Sequence, residues 1–251
     1  MRPAFTSRPL TPLSHWQQLP NGDWLQQQVA ASLDEWWPKL FGYHLLKLGS
    51  LAAELPSSAS PITHQISLDP QAGGVRAQLD ALPFRQASID VCVASFTLEF
   101  RQDPHRLLRE IDRVIISGGH LLLLGFDGFS PLLLGQLLPQ QRQRPPWNGR
   151  LFSSMRVEDW LGVLGYSVIS KQWLTQHSFL GSPERFGAIR HCFEQWLPNF
   201  GSVYLIVARK MDSPLTPIRQ KWRLPRPLVL NPIADLAGYQ EGKVQRKDKS
   251  G

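Results

Sequence analysis

Two cysteines, Cys92 and Cys192, stand far apart in a chain of 251 residues, too few and too widely separated for the disulfide framework of a small secreted protein. Both read as reduced core thiols. No apolar run approaches the roughly 18 residues of a membrane-spanning helix, and the opening MRPAFTSRPL lacks the apolar stretch of a signal peptide. A cytoplasmic protein with no membrane span is therefore expected. No segment recurs at a fixed period, which excludes solenoids and propellers. The seven histidines show no metal-ligand spacing, so no metal is expected. Charged residues are sparse as well, at 19% against a usual value of about 25%.

The charge that is present is unevenly placed. From Arg209 to Gly251 there are ten Lys and Arg against four Asp and Glu, so +6 of the net +7 belongs to the end of the chain and the body is nearly neutral. That end also carries Pro214, Pro217, Pro225, Pro227 and Pro232, a density that excludes regular elements. Two uses are open for it. Trp222 between Lys221 and Arg223 suits stacking on a nucleic-acid base, and the prolines equally suit a strap across the domain, whose removal would lower the melting temperature. The hydrophobic content of 42% is close to the globular norm of roughly 45–50%, so the body has material for one core.

Short apolar runs alternate with helical stretches. Tyr43–Leu48, Ile62–Leu68, Val91–Phe96, His120–Phe126, Tyr166–Ile169 and Val203–Ala208 read as strands. An amphipathic helix follows Asn21 and stops at Pro38, and further helices are expected over Pro104–Ile116, Leu132–Leu138, Ser154–Leu164 and Pro183–Leu197. In the helix after Asp103-Pro104, Leu107, Leu108, Ile111, Val114 and Ile115 share a face, and Gly118-Gly119 should end it. Flanked by two fully apolar strands, it is a parallel βαβ crossover. The fold class is α/β, a doubly wound, Rossmann-like, mostly parallel sheet with helices on both faces. The expected organisation is an N-terminal helical extension over 1–42, the main domain over 43–210 and a basic, Pro-rich, partly disordered tail over 211–251.

Within the domain, Leu82-Pro83-Phe84, Ile89-Asp90-Val91, Leu98-Glu99-Phe100, Asp103-Pro104, Leu107 to Val114 and Gly118-Gly119-His120-Leu121 follow one another in fixed order. Their order and spacing resemble the middle of class I S-adenosylmethionine (SAM) dependent methyltransferases of the type 11 group. The resemblance implies an antiparallel final strand, SAM as cofactor, and methyl transfer to an acceptor that the sequence does not identify. It also implies cofactor-binding positions at the strand ends: Gly49 in the loop after the first strand, Asp69 on the ribose hydroxyls, Gln78 with Leu79 at the adenine, and Ser95 with Phe96 facing the methionine end. No catalytic side chain is implied, because an activated methyl group needs mainly positioning and a route for one proton.

The chain departs from the family at four places. Leu51 and Ala53 replace two glycines, which predicts a narrowed cofactor space. Lys47 stands where the family has an acid, which predicts repulsion of the positive sulfonium. Gln78 replaces the adenine-reading acid. Only six residues separate Leu68 from a candidate strand at Val75–Leu79, fewer than a parallel crossover needs, so that strand is either an antiparallel hairpin partner or absent from the sheet. Glu99 reads as an exposed loop carboxylate or, alternatively, a general base; Asp90 and Asp103 read as structural. Arg142, Arg144 and Arg150 with Trp147 suit an anionic or aromatic acceptor, against the plainer reading of a solvated basic loop. The alternative from another class is a methyltransferase-like binding or scaffold protein that has lost catalysis and uses its basic tail on nucleic acid or a protein partner.

Overall fold

The computed structural model describes residues 10–70, 74–175, 179 and 201–211. The helix expected over Pro183–Leu197, Cys192 and all of the basic segment beyond Met211 lie outside them. The chain divides into two compact units after Ser213, and the first contains the sheet.

Six strands form one sheet: β1 (His44–Leu48), β2 (His64–Leu68), β3 (Ile89–Ser95), β4 (Ile115–Phe126), β5 (Tyr166–Thr175) and β6 (Val203–Lys210), in the order β2-β1-β3-β4-β6-β5. β1 to β4 pair in parallel, and β6 runs antiparallel to both β4 and β5. The expected final antiparallel strand is thus present. Apolar residues alternate between the two faces because successive side chains of a strand point opposite ways. On one face Leu45, Val91, Val93, Leu122, Leu124 and Val207 pack against α1 (Gly22–Asp34), which buries Leu25, Val29 and Leu33. On the other, Leu46, Cys92, Leu121, Leu123 and Ile206 pack against α3 (Pro104–Val114) and α5 (Ser154–Val163).

The family-like run of residues owes its spacing to a small set of bonds. Asp103 caps α3, its side chain accepting from the Arg106 amide, and Pro104 opens the first turn. Leu107, Leu108, Ile111 and Val114 are buried against the sheet, each contributing roughly 1.5–3 kcal/mol. On the outer side Glu110 and Arg113 form an ion pair at 2.9 Å. Glu110 accepts from the Leu82 amide, and the Arg113 fork donates to the carbonyls of Leu82 and Phe84, so the Leu82–Phe84 turn is clamped onto the helix. Asp90 accepts from the amides of Tyr43 and His44 and so fixes the entry to β1. Both Asp90 and Asp103 are structural, as read.

Two boundaries differ from the expectation. α3 stops at Val114, and β4 begins at once with Ile115, so Gly118 (φ +77°) and Gly119 lie inside the strand, next to a register shift between Ile89 and Val91. Between β2 and β3 no described residue is helical or in a strand, and Val75 makes only a single parallel bridge to Leu68. Of the two options for Val75–Leu79, absence from the sheet is the one realised.

Candidate active site

In a doubly wound sheet ligands bind at the carboxyl ends of the parallel strands. Here β1, β2 and β3 deliver Gly49, Asp69, Ser95 and Phe96 to the rim of one cleft, and Leu79 closes its side. Gly49 makes the turn with φ +85°; its amide donates to the Leu68 carbonyl, and a Cβ placed there would stand 2.9 Å from Thr97 Cγ2. Only glycine suits that backbone and that space. It leads into α2 (Ser50–Ala53), a single turn. Phe96, the residue after β3, has φ +52°, a left-handed conformation unusual for an aromatic residue, and its ring packs on Phe126 at 4.3 Å.

Five of the six sequence-derived positions therefore converge. Gln78 does not: it is exposed and is not part of the cleft wall, because the stretch after Asp69 carries no crossover helix to turn it inward. Lys47 is a second correction. Its ammonium is buried away from the cleft and donates to the Leu55 carbonyl at 2.8 Å, capping the chain after α2, and burial pushes its pKa below the ordinary lysine value. The expected repulsion of a sulfonium has no geometric basis. Of the two side chains that replace glycines, Leu51 lines the cleft and Ala53 does not.

Thr97 and Arg101, in the turn after β3, also line the cleft. Ser95 Oγ and Thr97 Oγ1 are both buried and have no hydrogen-bond partner among the described residues, which is unusual for polar groups taken out of water. Burial pushes the Arg101 pKa down, and the nearby carboxylates of Asp80 and Asp69 push it back up. Extending the strand-end rule a few residues into each loop would have found both.

The cleft is shut by the N-terminal segment. Pro12 and Leu13 form part of its wall, and the remaining cavity is about 20 Å³, room for one water. Trp16, on a 3-10 turn over Trp16–Gln18, is fully buried; its indole N–H donates to the Leu51 carbonyl at 3.1 Å and its ring meets Phe96 edge-on at 5.6 Å. The donor set still matches SAM. A buried carboxylate at the end of β2, two orphaned hydroxyls and a glycine with no room for a side chain suit ribose hydroxyls, polar amino-acid atoms and close backbone approach. The residues fit the cofactor, and Pro12 and Leu13 narrow the space beside them.

Glu99 is neither exposed nor in the cleft wall, against expectation. It is completely buried beneath β4, its Oε1 accepting from the Phe126 amide at 2.8 Å while Oε2 has no partner among the described residues, and burial pushes its pKa up to about 7. Tyr204 lies in the same pocket. Its hydroxyl is also unpartnered, and burial followed by the charges of Glu99, Asp127 and Glu158 raises its pKa. Both groups crowd Gly125, where a Cβ would meet Tyr204 Oη at 2.3 Å and Glu99 Oε1 at 2.8 Å.

Sheet order, the site at the strand ends and the antiparallel β6 define a class I, Rossmann-like methyltransferase fold. Residues 57–123 match the family model described as methyltransferase domain, of type 11. The chain belongs to this SAM-dependent methyltransferase family and is an enzyme of it. It is 36% identical over 230 residues to the uncharacterized protein YafS of Escherichia coli strain K12, covering 90% of this chain and 93% of that one. Among solved structures, a Haloferax volcanii complex with the methyltransferase activator Trm112 aligns with a TM-score of 0.56 at 16% identity, over 78% of this chain and 94% of the other. A SAM-dependent methyltransferase from Archaeoglobus fulgidus aligns with a TM-score of 0.51 at 16% identity, over 74% and 94%. Among the described residues no helix is long and apolar enough to cross a membrane.

Proposed function

We propose that the cleft between Gly49, Asp69 and Ser95 is where this methyltransferase holds SAM, with the N-terminal segment Pro12–Trp16 displaced when the cofactor enters. The orphaned hydroxyls of Ser95 and Thr97 carry the reading, since buried polar groups without partners call for a ligand that supplies them. Asp69 accepts from the ribose hydroxyls, Gly49 lets the backbone approach, Leu79 lies along the adenine, and Ser95 with Phe96 faces the methionine end. Arg101 steadies Asp69 from the side. When bound, SAM supplies a methyl group already activated on a positive sulfonium, so these side chains need to position and to exclude water rather than to activate. The rings of Phe96, Phe126 and Trp16 provide that exclusion. Buried Cys92, a free thiol whose pKa burial raises, supports a cytoplasmic location.

Calorimetric titration with SAM and with its demethylated product tests the site. The wild-type chain is expected to bind both with a Kd of order micromolar. Asp69→Asn should weaken binding roughly 10–100-fold, the loss of charge-assisted hydrogen bonds of about 1.5–3 kcal/mol, and Gly49→Trp should abolish the heat by filling the turn. Absence of heat from the wild-type chain would overturn the assignment.

A further inference from the structure

A second, much larger cavity of about 390 Å³ lies beside the cleft. It falls within the roughly 300–1,000 Å³ typical of small-molecule sites, at the small end. Its polar lining comes from Gln17, whose Nε2 donates to Asp23 Oδ1 at 2.8 Å, Gln18, whose Oε1 accepts from the Ser14 amide, and Gln141 and Arg144; its apolar walls include Trp147 and Phe179, and among the described residues no acidic one lines it. Arg144 is held in place through its backbone, its amide donating to the Gln141 carbonyl and its own carbonyl accepting from the Asn148 amide. Its guanidinium is exposed and makes no ion pair or hydrogen bond with any described residue. Trp147 is buried and fixed by an indole N–H bond to the Leu132 carbonyl at 2.8 Å. An uncommitted planar cation beside rigid aromatic walls is the chemistry that recognises a flat ring bearing an anionic group.

Two contacts tie this cavity to the cleft. Phe179, in its wall, meets Phe126 edge-on at 6.2 Å, and Phe126 packs on Phe96, which lines the cleft. The same 3-10 turn that sets Trp16 against the cleft residues Leu51 and Phe96 presents Gln17 and Gln18 to the cavity. One turn is therefore the partition between the two spaces, and displacing it to admit the cofactor joins them.

We propose that this cavity is the acceptor chamber and that it takes a small aromatic anion, a single ring with a carboxylate or phosphate held by Arg144 and the Gln141 amide. The proposal deepens the cofactor reading and rests on it for the reaction, though not for the binding. In the transfer it serves, a lone pair on the acceptor's oxygen or nitrogen forms the bond to the methyl carbon. The carbon–sulfur bond breaks with its electron pair left on sulfur, and the acceptor's proton passes to water at the open side of the cavity.

The test is titration of the full chain, without SAM, with benzoate, 4-hydroxybenzoate and phenyl phosphate, and with the uncharged benzyl alcohol and 4-hydroxybenzyl alcohol. Anion binding is expected, weakened about tenfold or more in Arg144→Gln and unchanged in Arg142→Gln, whose Nε is already held by the Gln136 carbonyl outside the cavity. The uncharged rings should bind equally to wild type and Arg144→Gln. No binding of any of the three anions up to about 10 mM, or binding indifferent to Arg144→Gln, overturns the proposal. Because these titrations omit SAM, an anion site dependent on Arg144 in a chain that gives no heat with SAM would retain the cavity and refute the cofactor reading. The reverse result would do the opposite.

Discussion

Glu99→Gln is expected to stabilise the protein above neutral pH and to leave it nearly unchanged in mild acid. The carboxyl is fully buried and titrates near 7 in the folded chain against about 4.3 when unfolded. Below the unfolded value both states hold the proton, and the carboxyl imposes no charge burial. Between the two values only the unfolded chain releases it, so stability falls as pH rises. Above the folded value the loss is complete, on the order of 3 kcal/mol. Glutamine keeps an acceptor for the Phe126 amide and removes the titration. The melting-temperature difference between variant and wild type should therefore grow from pH 4.5 to 7.5 and reach roughly 6–12 °C for a domain of this size. A difference that does not vary with pH would show that the native carboxyl is not protonated in this range.

Trp16→Ala should separate stability from cofactor affinity. The indole is fully buried, donates one hydrogen bond to Leu51 and packs edge-on against Phe96, and truncating such a tryptophan costs about 3–5 kcal/mol. The same contacts hold Pro12 and Leu13 in the cleft, so the closed state loses what keeps it closed. The apparent dissociation constant scales inversely with the fraction of molecules whose site is open; a lower melting temperature should accompany SAM binding tighter by about tenfold or more. Calorimetry on both chains measures this. A weaker affinity in the variant would mean that the indole stays against the bound cofactor and that the segment does not leave on binding.

The crossover from β3 to β4 is readable in the sequence because local and global signals agree there: a capping Asp103, a first-turn proline and a 3.6-residue apolar stripe beneath two apolar strands. The cleft positions are readable for a related reason, since the end of a parallel strand is where a doubly wound fold presents side chains. What escapes are directions. Lys47 shares a strand face with Leu45, and only the tertiary position of Leu55 decides that its ammonium finds a carbonyl instead of the cleft. Gln78 sits in a stretch with no period to say which way it turns. Glu99 has the look of a surface charge although it stands between the buried Leu98 and Phe100, a neighbourhood that argues for burial. The closing of the cleft has a faint signature too. Leu13, Trp16 and Leu19 recur every third residue, the period of a 3-10 turn, and all three are buried.

Dropping the crossover after β2 also changes the solubility problem that the sheet must solve. β2 becomes an outermost strand, and such a strand offers unpaired amides and carbonyls on which a foreign chain can grow. Here the offer is small. β2 has five residues, His64 and Gln65 at its start are polar and exposed, and at its far end the Val75 amide donates to the Ser67 carbonyl while the Val75 carbonyl accepts from the Asp69 amide. Those two bonds, supplied by a loop with no strand of its own, cap the sheet margin beside the cleft and leave too short and too polar a template for edge-to-edge aggregation.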